Sequence, residues 1–226
     1  MDIRARAGAV AALVAWSSAL AQGNVPQAAA ETVQVVQARA QNAALAKTYT
    51  WNERTEILVN GQVKDIRISL VNFGPDGKLQ RSLLNDQGAP LPGGFIRRAI
   101  AEGQRKDMET YLDGLRSLLQ LYTLPTPGAV MNFLDQAATA PAPGGQLVVS
   151  GASVVQPGDS LTMYLDASTK RIRKAAVTTT FQGSPVNVSA TFRTLPSGLN
   201  YMAYGEVAVP AKGYSVQVQN FDYVQN

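Results

Sequence analysis

Residues 49–73 read YTWNERTEILVNGQVKDIRISLVNF, and this stretch decides the fold class. Polar and apolar residues alternate over 49–59, which is the pattern of a half-buried strand. Asn60-Gly61 follows, a dipeptide typical of a two-residue hairpin turn, because both turn positions need a positive φ. The return segment over 63–73 places three apolar residues on one face, namely Ile66, Ile68 and Leu70. The stretch therefore predicts an antiparallel hairpin with one apolar face.

The last third of the chain carries the same signal. Short alternating segments are separated by turns rich in Gly, Pro, Ser or Asn. They predict six strands, near Gln146–Val154, Leu161–Asp166, Ile172–Phe181, Pro185–Arg193, Tyr201–Val209 and Tyr214–Tyr223. Together with the hairpin and a third strand at Lys78–Leu84, about nine antiparallel strands are expected.

Helical periodicity is present in two long segments and one short one. Pro26–Ala46 is rich in alanine and has a thin apolar face, and Phe95–Tyr122 repeats apolar residues at three- and four-residue steps. Thr126-Pro127 has the form of an N-cap followed by proline, which predicts a short helix to Leu134. Pro141–Gly145 is expected to be a loop.

Nine strands with one apolar face need a cover, and the helices are the available cover. A sheet this wide curls and does not stay flat. The sequence therefore predicts an α+β fold in which a large curved antiparallel β-sheet, a half-barrel, has helices packed over its concave face. Residues 22–226 are expected to form this single domain, with the helical insertion at about 95–140.

Residues 1–21 have the order of a secretory signal peptide. Arg4 and Arg6 precede an apolar run of about ten residues and the small-residue site Ala19-Leu20-Ala21. That run is too short for a bilayer, which needs about 20 residues. Cleavage is expected after Ala21 or near Ala30. No later segment reaches transmembrane length, so a soluble protein is expected, and a monomer is expected as well. The absence of cysteine, and hence of disulfides, favours a Gram-negative periplasm.

The net charge of +4 is too small and too dispersed for a nucleic-acid-binding stripe. One local basic cluster contains Arg171, Arg173 and Lys174. It is either a solvated turn or a docking point for an acidic partner or a lipid head group.

The residue inventory argues against catalysis. Without histidine and cysteine there is no Ser-His-Asp triad, no thiol chemistry and no imidazole metal ligand. Glu53 with Asp65 or Glu56 is the carboxylate pair considered for a glycosidase, but outward-facing strand charges explain these residues better. Ser168 and Lys170 lie in a predicted turn, where such residues are ordinary. No catalytic residue, metal or cofactor is therefore predicted.

The arrangement resembles the family of periplasmic lipoprotein carriers with the LolA/LolB-like half-barrel fold. The shared features are the signal segment, the N-terminal helix that leads into Tyr49–Val59, the helical insertion and the C-terminal meander. In that meander Leu161–Asp166 ends in Asp, turns through Arg171–Lys174 and pairs with Val177–Phe181. The resemblance covers most of residues 28–224 and is one of pattern. It implies lipid binding, although the family also includes sigma-regulator sensors, so the fold does not settle the function.

Two functions are compatible with these features. The first is an exported, non-enzymatic carrier or sensor that binds a lipid or acylated ligand in an apolar cavity between the sheet and the helices. The residues expected to line that cavity are Trp51, Ile68, Leu70, Met163, Leu165, Phe192 and Met202. The same residues equally describe an ordinary core. The second function is then a cell-envelope interaction module, with strand edges near Lys78–Leu84 or Tyr214–Val224 that recruit a protein partner by strand addition.

Overall fold

A computed structural model describes residues 27–86, 95–123, 133 and 136–226. Within these residues two α-helices, α1 (Gln27–Ala46) and α2 (Phe95–Thr123), accompany ten β-strands. The strands are β1 (Tyr49–Val59), β2 (Gln62–Phe73), β3 (Leu79–Asp86), β4 (Ala138–Ala142), β5 (Gln146–Ala152), β6 (Ser160–Asp166), β7 (Ile172–Phe181), β8 (Ser184–Thr194), β9 (Asn200–Val209) and β10 (Tyr214–Gln225). The predicted signal peptide and most of the predicted helix at 126–134 lie outside the described residues.

All ten strands form one antiparallel sheet in the order β3-β2-β1-β10-β9-β8-β7-β6-β5-β4. The first strand pairs with the last, with Tyr49 opposite Gln225 and Val59 opposite Tyr214. The remaining neighbours follow one another in chain order. The predicted fold class is confirmed: the protein is an α+β half-barrel with a large, curved, open antiparallel sheet.

The turn between β1 and β2 is the predicted Asn60-Gly61, and both residues have a positive φ, 51° and 75°. Just beyond the turn an extra residue in β2 shifts the register. Leu58 lies opposite Val63, but Ile57 lies opposite Asp65. This is a β-bulge, which leaves one residue of the longer strand unpaired.

The bulge decides which side chains of β2 face the helices. Because side chains alternate with a period of two, a one-residue shift exchanges the two faces of a strand. Trp51 therefore lies opposite Val71 and not opposite Leu70. The apolar residues that the sequence groups with Trp51 point to the other side of the sheet, namely Ile66, Ile68 and Leu70. The expectation of a single apolar face across this hairpin is corrected accordingly.

A second correction concerns β4. The sequence predicts a loop at Pro141–Gly145, but Ala138–Ala142 forms an edge strand with Pro141 opposite Leu147 of β5. Proline lacks an amide hydrogen and is tolerated at the edge of a sheet. A five-residue segment of Ala, Thr and Pro has neither strand propensity nor a clear period, so its pairing is set by β5.

Both helices pack on one side of the sheet, called here the helix-facing side. The end of α1 contacts the Trp51 cluster, whose buried members are Tyr49, Trp51, Val71 and Leu199. Helix α2, unbroken at Gly103, contacts the Tyr111 cluster, whose buried members are Tyr111, Leu115, Val186 and Val209. The two clusters lie on the same side of the sheet. Ile57, on the side of Trp51, lies opposite Val216, and Val216 lies opposite Val207 of the Tyr111 cluster. Neither described helix combines the length and the apolar character needed to cross a membrane.

We expect Leu199→Ala to lower the free energy of unfolding by about 2–5 kcal/mol, because Leu199 is 1% exposed and its truncation leaves a void in the Trp51 cluster. The matched control is Leu70→Ala, on the opposite side and 38% exposed, which should cost under about 1 kcal/mol. Urea unfolding followed by tryptophan fluorescence measures both. Equal losses for the two variants would contradict the assignment of faces.

Candidate functional site

A row of small residues crosses the helix-facing side between the two clusters. The register places Ala175 of β7 opposite Ala190 of β8, and Ala190 opposite Gly205 of β9. We call these three the small-residue row. Residues two apart in a strand point to the same side of the sheet. The row therefore faces the helices, because its members lie two residues from Val177, Val188 and Val207, which are at the Tyr111 cluster or beside it. Ala175 and Ala190 leave a shallow trough in the sheet surface, since their side chains are methyl groups, whereas Gly205 is buried against the Met202 side chain.

Larger apolar residues line this trough. Met163 of β6 lies opposite Ala175, and Phe192 of β8 lies opposite Met202 of β9. The side chain of Met202 folds towards the row, because a Cβ atom on Gly205 would lie 3.0 Å from the Met202 Sδ. Met163, Phe192 and Met202 are half-buried, as are both alanines of the row. The helix-facing side thus keeps a partly solvent-accessible apolar surface between its two closed clusters.

The seven residues predicted to line a cavity do not share one surface. Met163, Phe192 and Met202 flank the small-residue row, and Leu165 is buried at 2% exposure on the same side. Trp51 belongs to its own cluster, where its Nε1 donates to Asn220 Oδ1 at 3.1 Å. Ile68 and Leu70 lie on the opposite side of the sheet. Sequence reasoning missed the row itself, since two alanines and a glycine in strands carry no distinctive signal.

Charged residues occupy the other part of the helix-facing side, on β1, β2 and β3. Arg81 donates to Glu53 through Nε at 2.8 Å and through Nη2 at 3.2 Å. Arg67 forms an ion pair with Asp65 at 2.7 Å. The expectation that these carboxylates face outward is wrong for Glu53 and Asp65, because both share the side of Trp51. Asp65 points to this side because of the bulge in β2, and Glu53 points to it because side chains alternate along β1 and Glu53 lies two residues from Trp51.

The carboxylate pairs weighed for a glycosidase are too far apart or on different faces. Glu53 lies opposite Ser69, four residues along β2 from Asp65, which separates the two backbones by about 13 Å. A glycosidase needs about 5–9.5 Å between its carboxyl groups. Glu56 lies on the other side of the sheet and pairs with Arg54. In the described part of the chain no three His, Cys, Asp or Glu residues are grouped so as to hold a metal ion.

A polar network holds the end of α2 to the sheet. Asp159, 2% exposed in the loop between β5 and β6, accepts the Tyr122 hydroxyl at 2.6 Å. It also accepts the backbone amides of Val154, Val155 and Gln156 at 2.6–2.9 Å. The Tyr122 hydroxyl lies 3.0 Å from Thr179 Oγ1 on β7. The sequence indicates Asp159 only as a turn residue, because nothing in it links this position to Tyr122.

Burial and hydrogen bonds set the protonation of this network. Burial raises the pKa of Tyr122 to about 12, and its bond to Asp159 adds to that shift. Burial also acts to raise the pKa of Asp159, but the bonds from Tyr122 and three amides outweigh it, so this pKa lies below its ordinary value. Asp159 is therefore a carboxylate, and Tyr122 a neutral donor, at neutral pH.

The predicted basic cluster lies at the turn after β6. Asp166 organises this turn: its Oδ1 accepts the Ser168 hydroxyl at 2.7 Å, and its Oδ2 accepts Arg173 Nη2 at 3.0 Å. These bonds hold the pKa of Asp166 well below its usual range. The Ser168 hydroxyl thus contacts a carboxylate in the turn. Arg171 is half-buried and Lys174 is exposed, and docking by this cluster stays a prediction.

The chain was compared with known families, curated proteins and solved structures. No protein-family model matches the sequence, and no curated protein matches it. Among solved structures, a DUF1329 family protein from Desulfovibrio piger ATCC 29098 is 9% identical with a TM-score of 0.44, covering 89% of this chain and 94% of its own. An outer membrane lipoprotein-sorting protein domain from Vibrio parahaemolyticus is 8% identical with a TM-score of 0.37, covering 84% and 92%.

A LolA superfamily protein from Nitrosomonas europaea is 9% identical with a TM-score of 0.33, covering 84% of this chain and 92% of its own. Two of these three proteins carry names of the carrier group that the sequence pattern resembles. At these identities and TM-scores the similarity bears no conclusion about a ligand.

We expect Asp159→Asn to lower the free energy of unfolding at pH 7 by about 2 kcal/mol or more, because an amide cannot replace a carboxylate that accepts four bonds. Since the folded-state pKa lies below the unfolded value of about 3.9, the carboxylate stabilises the fold above that pH. This stabilisation is lost as the pH falls through the folded-state pKa. The variant should therefore lose less stability than the wild type between pH 7 and pH 3.

Urea unfolding at the two pH values measures this difference. The control is Asp113→Asn, which removes an exposed carboxylate of α2 that pairs with Arg116 at 3.3 Å. It should change the stability by under about 1 kcal/mol. A loss at pH 7 that is equal for both variants would overturn the role assigned to Asp159.

Proposed function

We propose that this protein is an exported, non-enzymatic carrier or sensor that binds a lipid or acylated ligand on its helix-facing side. The observation that supports the proposal is the small-residue row, with half-buried Met163, Phe192 and Met202 around it. An apolar surface with partial solvent access is suited to an occupant that is itself apolar.

The energetics of lipid burial suit this surface. Each methylene removed from water contributes about 0.8 kcal/mol, so one long acyl chain gains on the order of 10 kcal/mol. Such a chain is flexible and has no polar groups to satisfy. It needs a smooth apolar trough, and the methyl groups of Ala175 and Ala190 offer one, with the Met202 side chain at its Gly205 end.

Helix α2 packs on the Tyr111 cluster, next to this surface. It is tied to the sheet at the Tyr111 cluster and again at Tyr122, whose hydroxyl contacts Asp159 and Thr179. We infer that motion of α2 (Phe95–Thr123) relative to the sheet opens the site. The order of residues 1–21 supports export, and a periplasmic location is part of the proposal.

One observation favours the second function, a protein-interaction module. Edge strand β3 exposes three leucines, Leu79, Leu83 and Leu84. Apolar side chains on an edge strand suit pairing with a strand of another protein. The two functions differ in their occupant, which is a lipid in the first case and a polypeptide in the second.

We expect Ala175→Phe to reduce retained lipid at least severalfold, because the added ring fills the trough that the acyl chain would occupy. The control is Ala176→Phe, one residue along the same strand and on the outer side of the sheet, which should retain lipid like the wild type. Native mass spectrometry with lipid extraction, on protein purified without detergent, measures the bound mass.

Thermal unfolding of each variant verifies that it is folded, since overpacking costs about 1–3 kcal/mol. Ala175→Leu replaces the phenylalanine variant if the latter does not fold. The lipid-binding proposal is falsified if wild-type protein carries no lipid and takes none up from offered vesicles. Equal lipid retention by folded Ala175→Phe and Ala176→Phe would place the ligand elsewhere.

A further inference from the structure

Residues 81–86 of edge strand β3 read RSLLND, and this six-residue segment is chemically self-complementary. From either end towards the middle, a charged residue is followed by a polar residue and then by a leucine. The charges at the two ends are opposite, with Arg81 at one end and Asp86 at the other. A strand with this pattern matches a second copy of itself when the two copies run antiparallel.

We propose that two copies of this chain associate by antiparallel pairing of their β3 strands, about a two-fold axis between Leu83 and Leu84. The inference is independent of lipid binding. It rests on the strand edge that supports the second candidate function, and it names the polypeptide that pairs there, a second copy of this chain. A reversible dimer then replaces the monomer expected from the sequence.

Strand β3 has one open edge. Within the described residues it is the end strand of the sheet, and β2 is its neighbour. Its free edge therefore carries backbone N–H and C=O groups that another strand can pair. The side chains at the middle of this edge are apolar and accessible, since Leu83 is 57% exposed and Leu84 is 58% exposed. A second strand pairs the backbone groups and covers the leucines at the same time.

A bulge in β3 changes the alternation of its two sides. Leu83 and Asn85 lie opposite two adjacent residues of β2, so Leu84 between them is an extra residue. Before the bulge, Arg81 and Leu83 lie on the helix-facing side of the sheet. After the bulge the alternation is reversed, so that Asn85 lies on the outer side and Asp86 on the helix-facing side.

This bulge selects one register for the two copies. Residues that lie opposite each other must share one side of the joined sheet. Over the whole of residues 81–86 this condition holds when Arg81 lies opposite Asp86 of the second copy. The matched pairs, each formed twice, are then Arg81 with Asp86, Ser82 with Asn85, and Leu83 with Leu84.

The competing register is less favourable. Pairing only the residues before the bulge, 79–83, also keeps each side together. It places Arg81 opposite Arg81 of the second copy, however, and like charges directly opposite each other destabilise a strand pair. It also leaves Leu84 outside the paired residues.

Charges and leucines have different roles in this dimer. The Arg81 side chain is 49% exposed and is already bonded to Glu53 within its own copy. Because exposed ion pairs contribute little to stability, the pair with Asp86 mainly fixes the register. Burial of Leu83 and Leu84 and the new backbone hydrogen bonds supply the affinity.

The interface is small, which determines the expected strength of the dimer. Each copy contributes six residues, whereas a stable interface of standard size takes about 20–30 residues from each partner. The dimer should therefore be reversible, with a dissociation constant in the micromolar range.

The first test measures mass as a function of concentration. Sedimentation velocity of the purified wild-type protein should show a shift from monomer to dimer between low micromolar and submillimolar concentrations. We expect Leu84→Lys to weaken the dimer at least tenfold, because it places two ammonium groups among leucines at the two-fold axis.

The matched control is Leu121→Lys, which changes a leucine of α2 that is similarly exposed, at 55%, and does not lie on β3. It should dimerise like the wild type. Thermal unfolding of both variants verifies that they are folded, as expected for substitutions of exposed leucines.

The second test measures the register. The chain has no cysteine, so introduced cysteines form the only possible disulfides. Ser82→Cys and Asn85→Cys proteins are mixed and oxidised, and mass spectrometry should find a linked dimer with one copy of each, since directly opposite residues come within reach of a disulfide. Either variant alone should form little linked dimer, because its two cysteines are three residues out of register, about 10 Å along the strands.

The outcomes decide both the dimer and its geometry. A wild-type protein that stays monomeric at every concentration overturns the proposal and leaves the edge to a different polypeptide. A dimer that Leu84→Lys does not weaken overturns the assignment to β3. Linked dimers as abundant for Ser82→Cys alone as for the mixture overturn the register. None of these readouts uses lipid, so a protein without bound lipid would overturn the carrier function and leave the dimer standing.

Discussion

The pairing of the first strand with the last is the constraint on which the rest of this structure depends. Residues 49–59 lie beside residues 214–225 as the third and fourth of the ten strands, and the side chains of Tyr49 and Gln225 are hydrogen-bonded across 176 positions of sequence. The expectation of a free strand edge at Tyr214–Val224 is therefore wrong, because that strand has a neighbour on both sides. Without the pairing of β1 with β10 the three N-terminal strands and the seven C-terminal strands would be separate sheets. The pairing also joins the charged part of the helix-facing side to the apolar part.

Much of the fold follows from local pattern. The bounds of β1, the Asn60-Gly61 turn and both helices are encoded by alternation, by positive-φ preference and by a 3.6-residue period, all of which act within a few residues. The unpaired residue near the start of β2 is different. It leaves the strand pattern intact and exchanges the faces, so that Val71 and not Leu70 meets Trp51. Edge strand β4 is different again, because β5 imposes its pairing.

The candidate site also has some features that local sequence pattern predicts and others that depend on strand pairing. Met163, Phe192 and Met202 stand out in the sequence as large apolar residues in alternating strands, and they flank the small-residue row. Ala175, Ala190 and Gly205 become a feature only when three strands align them. The contact between Tyr122 and Asp159 likewise joins a helix to a loop 37 residues away. Sequence periodicity reports the environment of each residue, whereas these features depend on which residues become neighbours.

The two ends of the sheet are unlike each other, and this limits how copies of the chain can associate. At one end β4 is five residues long and contains Pro141, which has no amide hydrogen to donate to an added strand. At the other end β3 is eight residues long and contains no proline. Fibrous growth through sheet edges requires that both edges accept a strand, so that each new copy offers another open edge. Because β4 is the shorter edge and contains proline, strand addition between copies of this chain is favoured at β3, which gives a closed pair and not continued growth.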